Sequence, residues 1–462
     1  MSGAPQARSR TTATIAAVAI FIACLFLYQS NGDTYVYTYD SAPNSLMVLN
    51  ALENHRLDFD NFRGGYLYQL GAGYVFTNDK SGNLVSFFPI GTAILSAPLY
   101  AAFDPLIHLQ HQPSDITSLS FERYRLHYEK LAANWIAALA AVLMFLCARR
   151  LTGLVPALIV TLAFAAGTDM WTVGSQALWQ HGAVNLLVLA MTGALLTALD
   201  APRKVPWLLL AGLCAGFLFV VRPTALVFSA AGLAFAAWES RRYALTFVAG
   251  AVAGLLPGII WNEGTFGTLL GAYGQNADAY AFTWPQFSNA FAALLISPGK
   301  GLLVFTPIAV FSLIGLWHAL RARTPQAWLL VALAVAAFIL LLQYSFFTRW
   351  WGGTSFGPRY LTDIACVLAL LLAYAIPTRP AGRVAFGVLL AASIAIQFVG
   401  ANGEEFGRWS ALPVSVDVQP SRVWSLADSP IQRDVVATLR RYTLATNVVQ
   451  GGPARSGNGG GP

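Results

Sequence analysis

Long apolar segments, separated by short polar joints, run through most of this chain. A membrane-crossing helix needs roughly 20 mostly apolar residues, with a range of about 17–25. Read against that length, the sequence predicts an all-α polytopic membrane protein. The eleven predicted membrane-spanning helices are 11–28, 131–148, 154–170, 182–199, 205–221, 224–238, 243–261, 302–318, 326–345, 360–377 and 384–400.

The charged residues predict how these helices are oriented. Cytoplasmic joints retain Lys and Arg, and here basic pairs mark every second joint. The six pairs are Arg8/Arg10, Arg149/Arg150, Arg203/Lys204, Arg241/Arg242, Arg321/Arg323 and Arg379/Arg383. Of the 21 acidic residues, only Asp200 and Glu239 fall on that side. We therefore expect the N-terminus inside, the C-terminus outside and the candidate chemistry on the outer face.

Composition agrees with a membrane protein and argues against a nucleic-acid partner. Apolar residues make up 56% of the chain and charged residues 11%, against about 25% charged in typical soluble domains. The net charge of +7 is explained by the basic joints, which contact anionic lipid headgroups. We expect membrane lipids as partners and no nucleic acid.

Three regions are predicted along the chain. Residues 1–400 form the transmembrane domain, which includes a long first outer loop, 29–130, with juxtamembrane helices. Residues 401–450 form a small outer segment or interfacial helix, and the glycine-rich residues 451–462 a disordered tail. Segment 86–108 is apolar enough to cross the membrane, but a crossing there would turn every later basic pair outward. We therefore predict a bent juxtamembrane or re-entrant helix, broken by its prolines.

Asp40 lies about a dozen residues beyond the first predicted span, where a carboxylate would meet both lipid-borne and water-soluble molecules. Two interpretations are open from the sequence. Asp and Ser before a helix often accept backbone N–H bonds as N-caps, and a helical pattern follows Asp40. The alternative is a reactive carboxylate at the membrane surface.

Four cations lie near the outer ends of predicted spans. They are Arg222, Lys300, Arg349 and Arg359. Ionisable groups at such depth usually face the bundle interior and mark a functional path, and a convergent set would bind phosphate or pyrophosphate. Snorkelling of each side chain to lipid headgroups is the alternative.

The loop 168–181 places Asp169, Trp179 and His181 between two spans. An aromatic belt explains a tryptophan there, and a lone histidine is more often a satisfied structural group than a ligand. We include these three residues, with Tyr360, as candidate substrate contacts. His108 and His111 have an i,i+3 spacing but no diagnostic metal pattern. We predict no cofactor, although a divalent metal remains possible.

Several motifs, taken in order, resemble the GT-C glycosyltransferases, the membrane-embedded class that includes protein O-mannosyltransferases and aminoarabinose transferases. The resemblance covers roughly residues 10–440 and rests on the order of the motifs. They are YTYDSAPNSL, FFPIGTAILSAPLY, LCARRLTG, SQALWQHG, VRPTA, SPGKGLL and WWGGTSFGPRYLTD.

This resemblance implies a sugar donor carried on a polyprenyl phosphate and an envelope acceptor on the periplasmic face of a bacterial inner membrane. Asp40 then matches the class's catalytic carboxylate as general base, and inversion at the sugar carbon follows. The cations, Arg222, Lys300 and Arg359 ahead of Arg349, would bind the donor phosphate. Some members carry a second acid next to the first, whereas here Ser41 follows.

Two other functions fit the same residues. A transporter or flippase of a lipid-linked glycan would use the apolar cavity and the cations without chemistry at Asp40. A glycan ligase or polymerase would use a polyprenyl-diphosphate donor instead. The sequence specifies neither the sugar nor the acceptor.

Overall fold

A computed structural model of the chain describes residues 3–32, 38–110, 115–275, 282–403 and 405–450. The predicted tail 451–462 and His111 lie outside these residues. Almost all regular structure in the described part is α-helical. The helices are α1 Gly3–Gln29, α2 Ala42–Asn54, α3 Tyr66–Gln69, α4 Gly91–Leu109, α5 Glu122–Leu151, α6 Leu154–Gly167, α7 Gln180–Asp200, α8 Val205–Val221, α9 Leu226–Glu239, α10 Arg241–Phe266, α11 Ala272–Gln275, α12 Phe287–Ile296, α13 Leu302–Phe305, α14 Val310–Ala322, α15 Pro325–Ser345, α16 Ala365–Leu372, α17 Pro380–Gly403, α18 Phe406–Ala411 and α19 Pro430–Gln450.

Six helical stretches in the described residues are long and apolar enough to cross a membrane. They lie in α1, α5, α7, α10, α15 and α17. Shorter apolar helices, including α6, α8 and the stretch 307–322, accompany them. The prediction of an all-α polytopic membrane protein is confirmed, while the count of eleven crossings and their direction stay predictions.

Two predicted spans are not single regular helices. Segment 302–318 divides into α13, a 3-10 turn at Pro307–Ala309 and α14. Pro307 has no N–H for the helical ladder, and the N–H of Ile308 donates to the Ser393 hydroxyl instead (3.0 Å). Segment 360–377 begins with a 3-10 turn, Arg359–Ile364, before α16. Both irregular stretches lead into the candidate site.

Helices α8 and α10 pack through small residues. An added Cβ at Gly212 or Gly216 of α8 would lie 2.0 Å from a backbone oxygen of α10. The reciprocal glycines, Gly250 and Gly254, approach α8 just as closely, with 2.2 Å to the nearest oxygen. Close backbone approach at glycines four residues apart is typical of helix pairs in lipid. Because α8 ends at Val221, this contact also fixes the height of Arg222.

The first outer loop forms a small layer against α5. It contains α2, α3, α4 and a two-stranded antiparallel sheet, β1 Phe76–Asn78 and β2 Leu84–Ser86, with Thr77 opposite Val85. Aromatic and aliphatic side chains of these elements form a separate core with the first half of α5. The predicted juxtamembrane helix is α4, but it runs unbroken through Pro98 and Pro105, so the expected breaks at those two prolines are wrong.

A buried charged cluster joins this layer to α5. The Arg125 guanidinium pairs with Glu122 (2.6 Å) and with Glu129 one turn further on. The hydroxyl of Tyr66 on α3 donates to Glu122 (2.7 Å), and that of Ser45 on α2 donates to Glu129 (2.6 Å). Because buried charges are stable only when paired and hydrogen-bonded, these contacts hold α2 and α3 on α5.

Basic joints lie together at the other end of the helices. Arg150, near the end of α5, pairs with Asp200 at the end of α7 (3.5 Å). Lys204, just before α8, lies over the ring of Tyr243 at the start of α10 (5.3 Å). Asp40, Arg222 and Arg359 lie in joints that alternate along the chain with the basic joints. These contacts place the two basic joints at one end of α5, α7, α8 and α10, and the side of the membrane that this end faces stays a prediction.

Candidate functional site

Five joints contribute the polar residues of the candidate site. Asp40 lies between α1 and α2, Trp179 between α6 and α7, and Arg222 between α8 and α9. Lys300 lies between α12 and α13, and Arg359 between α15 and α16. Residues up to 319 positions apart in sequence are brought into contact here.

Asp40 pairs with an arginine and does not cap α2. The N-cap of α2 is Ser41, and no side chain makes a capping bond there. Asp40 Oδ2 accepts from Arg359 Nη1 at 2.7 Å, and Oδ1 accepts from the Tyr74 hydroxyl at 2.8 Å. Burial raises the pKa of Asp40, but Arg359 and the hydrogen bonds from Tyr74 and Thr38 outweigh it, so the pKa lies below its usual value. The capping interpretation of Asp40 is therefore wrong, and its role as a reactive carboxylate stays a prediction.

Arg359 is held in a compact glycine-rich segment. Gly352, Gly353 and Gly357 have positive φ angles of 73°, 66° and 73°, a conformation that costs glycine little. The Arg359 side chain is 9% exposed, against 20% for Asp40. Its guanidinium lies over the ring of Trp179 at 5.4 Å. Among the described residues, neither Arg359 Nε nor Trp179 Nε1 has a hydrogen-bond partner, although both are buried.

A second buried ion pair lies beside the first. Arg222 Nε approaches Asp363 Oδ2 at 2.9 Å, and Asp363 is fully buried. The other oxygen of Asp363 contacts His181 Nδ1 at 2.7 Å. The Tyr344 hydroxyl accepts from Arg222 Nη2 at 3.0 Å and donates to Asp363 at 3.2 Å. His181 thus has a partner within the protein, as is usual for a buried structural histidine.

Tyr360 lies between the two ion pairs. The guanidinium carbon of Arg222 is 5.6 Å from the centre of its ring, and that of Arg359 is 5.8 Å away. The ring also stacks on Tyr344 at 4.7 Å. Contacts of this kind with cations contribute about 0.5–2 kcal/mol each. Tyr360 therefore makes the two arginines parts of one cluster.

The contacts of Trp179 are set by the residue before it. The carbonyl of Leu178 accepts from Asn44 Nδ2 on α2 (2.8 Å), and its N–H donates to Glu129 on α5 (3.3 Å). Asp40 lies just before α2, and Asn44 lies in the first turn of α2. The N-terminal end of α2 therefore positions both the carboxylate and Trp179 beside Arg359. The buried cluster of α5 thereby supports the site.

Lys300 is completely buried and holds the glycine-rich segment. Its ammonium donates to the carbonyl of Gly353 (3.1 Å) and to the carbonyl and hydroxyl of Ser355 (2.8 and 2.9 Å). Burial, together with the nearby Arg359, lowers the pKa of Lys300 to about 7. An ammonium has three donors, and three protein acceptors already surround this one. Its predicted phosphate contact remains a prediction, and the observed contacts are with the protein.

We expect Lys300→Met to destabilise the segment that carries Arg359. The substitution leaves the Gly353 and Ser355 carbonyls without their charged donor, and losing such bonds costs on the order of 2–3 kcal/mol. Hydrogen exchange should show faster labelling over 349–358 in the variant. Lys204→Met, at the opposite end of the bundle, is the matched control. Equal protection of this segment in both variants would contradict the assignment.

Asp169 and Arg349 occupy different surroundings. Asp169 is buried, and its Oδ1 accepts from Gln397 Nε2 on α17 (2.8 Å). An added Cβ at Gly357 would lie 3.4 Å from the same oxygen, so Asp169 lies behind the glycine-rich segment. Arg349 is exposed and is not brought into contact with the other predicted cations. The predicted substrate contact of Asp169 and the predicted donor-phosphate contact of Arg349 stay predictions.

His108 lies in a separate cluster on the first outer loop. Its Nε2 is 3.2 Å from Glu53 of α2 and 3.4 Å from Asp104, one turn earlier on α4. The ligand atoms of the three side chains lie within 4.8 Å of one another. None of the residues around Asp40 or Arg222 belongs to this group. The sequence spacing pairs His108 with His111, whereas the contact seen on α4 is with Asp104, four residues before His108.

Sequence reasoning also missed three partners of the site. Asp363 carried the clearest signal, because it is an acidic residue at the edge of an apolar segment, where charge is costly unless paired. Tyr344 lies within α15 and Tyr74 in a short 3-10 turn, and neither position has a pattern that distinguishes it from an ordinary tyrosine. Their roles follow only from the chain's three-dimensional arrangement.

Comparison with known proteins rests on structure, since no family model and no curated protein matches this sequence. The apo structure of ArnT from Cupriavidus metallidurans is similar, with a TM-score of 0.52 at 13% identity over 88% of this chain and 66% of ArnT. The chain thus spans just under two thirds of that protein's length.

Two further structures give lower scores. ArnT from the same organism bound to undecaprenyl phosphate matches with a TM-score of 0.48 at 13% identity, over 94% of this chain and 78% of that one. The Archaeoglobus fulgidus oligosaccharyltransferase in its apo form gives 0.47 at 14% identity, over 90% and 60%. The likeness to apo ArnT shows that this chain has an ArnT-like fold, and it confirms, at the level of fold, the resemblance seen in the sequence motifs.

Proposed function

We propose that this protein is a membrane glycosyltransferase that moves one sugar from a polyprenyl-phosphate donor to an envelope acceptor. The observation that carries the proposal is the contact between Asp40 and Arg359, beside the buried pair of Arg222 and Asp363. A carboxylate can take the proton of an acceptor, and a guanidinium whose Nε has no partner among the described residues can bind a lipid phosphate.

Arg359 is the proposed donor-phosphate ligand. Its Nε is buried without a partner among the described residues, and so is the neighbouring Trp179 Nε1. Phosphate oxygens accept strong charge-assisted hydrogen bonds from guanidinium groups. Arg222 is more fully engaged, by Asp363, Tyr344 and Gln180. We therefore assign Arg222 to the electrostatic field around the phosphate and Lys300 to holding the Arg359 segment.

Asp40 is the proposed general base. In the free protein Arg359 stabilises its ionised form, so Asp40 is a weak base. A donor phosphate beside Arg359 would share that guanidinium and reduce its attraction for Asp40. The pKa of Asp40 would then rise, since a nearby positive charge is what depresses it. Binding of the donor would thus make Asp40 a stronger base before the acceptor reacts.

The proposed step is a single displacement. The acceptor oxygen bonds to the anomeric carbon while the bond from that carbon to the lipid phosphate oxygen breaks. The acceptor proton passes to Asp40, and the polyprenyl phosphate leaves with the bonding pair. Arg359 neutralises charge as it develops on the leaving phosphate, which is the kind of electrostatic stabilisation that usually contributes most to catalysis. We propose inversion at the sugar carbon and no cofactor.

We further propose that the site faces the periplasm of a bacterial inner membrane. The support is the division between the basic joints at one end and the candidate site in the alternate joints. Lys and Arg favour the cytoplasmic side. A lipid-linked donor and an acceptor in the cell envelope would meet on the opposite face.

Replacing Arg359 with Gln should slow transfer at least tenfold. The variant loses the charge and the free N–H proposed to contact the phosphate, and hydrogen bonds to charged groups contribute about 1.5–3 kcal/mol. Transfer of labelled sugar and binding of polyprenyl phosphate by the purified protein measure both effects. Arg408→Gln, an equal change at an arginine whose side chain is 64% exposed, should stay near wild type. Equal losses in the two variants would remove Arg359 from this role.

A further inference from the structure

The hydroxyl of Tyr74 donates a hydrogen bond to one of the two carboxylate oxygens of Asp40. Arg359 takes Oδ2 at 2.7 Å, and Tyr74 donates to Oδ1 at 2.8 Å. A general base must accept a proton across about 2.6–3.2 Å. The Tyr74 hydroxyl therefore takes one of the positions from which the hydroxyl of a reacting acceptor would donate to Asp40. The two cannot occupy this position together.

Tyr74 approaches Asp40 from the exposed side. The residue is 53% exposed, whereas Val75, which follows it, is completely buried. It belongs to a 3-10 turn, Gly73–Val75, preceded by Gly71 with φ of 72°. The backbone is thus anchored through Val75 while the phenol lies at the surface. A side chain held in this way can turn away without unfolding its loop.

The surroundings of the Tyr74 hydroxyl suit an alcohol. Thr38 Oγ1 lies 3.3 Å from the same oxygen, and the backbone N–H of Asp40 donates to Thr38 Oγ1 at 3.4 Å. An alcohol oxygen in this position would donate to the carboxylate and lie beside a second hydroxyl. Both neighbouring groups are small and lie in the same joint as the base.

We propose that Tyr74 occupies the acceptor position, keeping water away from Asp40 until an acceptor bearing a hydroxyl group displaces the phenol. This inference rests on the proposed glycosyltransferase function and deepens it, because it names the acceptor nucleophile as an alcohol. In the absence of acceptor, the phenol suppresses hydrolysis of the donor. In that side reaction water bonds to the anomeric carbon, its proton passes to Asp40, and polyprenyl phosphate leaves.

The groups facing Asp40 set the expected pH behaviour. They are Arg359 from the turn before α16, Tyr74 from the turn before β1, Thr38 from its own joint, and Tyr273 of α11, which interacts with it electrostatically. The hydrogen bond from Tyr74 lowers the pKa of Asp40. Removing that hydroxyl should raise this pKa, because the ionised form loses a donor.

The first test measures release of polyprenyl phosphate from a sugar-loaded donor without acceptor. We expect Tyr74→Ala to release it at least fivefold faster than the wild type, because water reaches Asp40. Tyr74→Phe keeps the ring and should give a smaller increase. Tyr68→Phe is the matched control, since it removes a hydroxyl in the same loop that has no described hydrogen bond.

The second test is the pH profile of kcat/KM for an alcohol acceptor. In Tyr74→Phe the acid limb should move to higher pH, while in Tyr68→Phe it should not move. A Tyr74 hydroxyl that makes no hydrogen bond to Asp40 in solution would leave that limb in place, and acceptor-free release separates the proposed role from a merely structural bond. Unchanged acceptor-free release in both Tyr74 variants, or an unmoved acid limb, would overturn the inference.

Failure of this inference is distinguishable from failure of the proposed function. A wild type that transfers sugar to an alcohol, with Tyr74 variants that behave like it, removes only the role of Tyr74. Transfer to amine acceptors alone would likewise overturn the assignment of the nucleophile while leaving a transferase. A wild type that releases no polyprenyl phosphate with any acceptor would overturn both.

Discussion

The Asp40→Asn variant is expected to fold, to bind donor and to transfer no measurable sugar. The amide keeps the size of the carboxylate and still has an oxygen for Tyr74, but it cannot accept the acceptor's proton. Positioned bases typically contribute about 10²–10⁴-fold to a rate. Binding of polyprenyl phosphate should be kept or strengthened, because Arg359 loses its competing partner. Single-turnover transfer of labelled sugar measures the effect.

The matched control for this experiment is Asp58→Asn in the same outer loop. Asp58 pairs with Arg56 at 2.6 Å, and both side chains are partly exposed. Surface pairs of this kind contribute about 0–1 kcal/mol, so transfer should stay near wild type. Near-normal transfer by Asp40→Asn would remove Asp40 from the reaction. A wild type that moves lipid-linked sugar across the membrane without cleaving it would favour the transporter.

The second large effect is expected on stability. Replacing Asp363 with Ala leaves the Arg222 guanidinium and the His181 ring without their buried partner. Breaking a buried ion pair by removing one side costs about 3–5 kcal/mol, because the remaining charge is uncompensated. The midpoint of thermal unfolding in detergent should fall by several degrees or more. Transfer should also be lost, since Tyr344 and Tyr360 are held by the same cluster.

Asp200→Ala is the control for this stability experiment. Asp200 also pairs with an arginine, Arg150, but its side chain is 74% exposed. Surface substitutions of this kind usually change stability by no more than about 0.5 kcal/mol. An Asp363→Ala protein as stable as Asp200→Ala would show that the buried cluster is not needed for folding.

The sequence predicted the transmembrane elements well because lipid imposes a simple rule on them. Long apolar helices such as α5, α7 and α15 follow directly from segment length. The irregular starts of α14 and α16 were harder to predict. The turn before α14 is held by the Ser393 hydroxyl of α17, and the turn before α16 begins at Arg359. The unbroken course of α4 through two prolines also differs from the expectation.

The candidate site was only partly visible in the sequence. Asp40, Arg222 and Arg359 stood out as charges at the edge of apolar segments, where an unpaired charge is costly. Their pairing was not visible, because 319 residues separate Asp40 from Arg359. Lys300 illustrates the limit: its position indicated a phosphate ligand, whereas its contacts are with Gly353 and Ser355. Contacts between distant joints arise from helix packing, which a single sequence does not specify.

The proposed roles of Asp40 and Arg359 can be tested most directly by an experimental structure with polyprenyl phosphate bound. We expect a phosphate oxygen at about 2.7–2.9 Å from Arg359, with Asp40 beside the position of the transferred sugar. A phosphate bound elsewhere, with Arg359 still paired only with Asp40, would contradict the proposed roles of both residues.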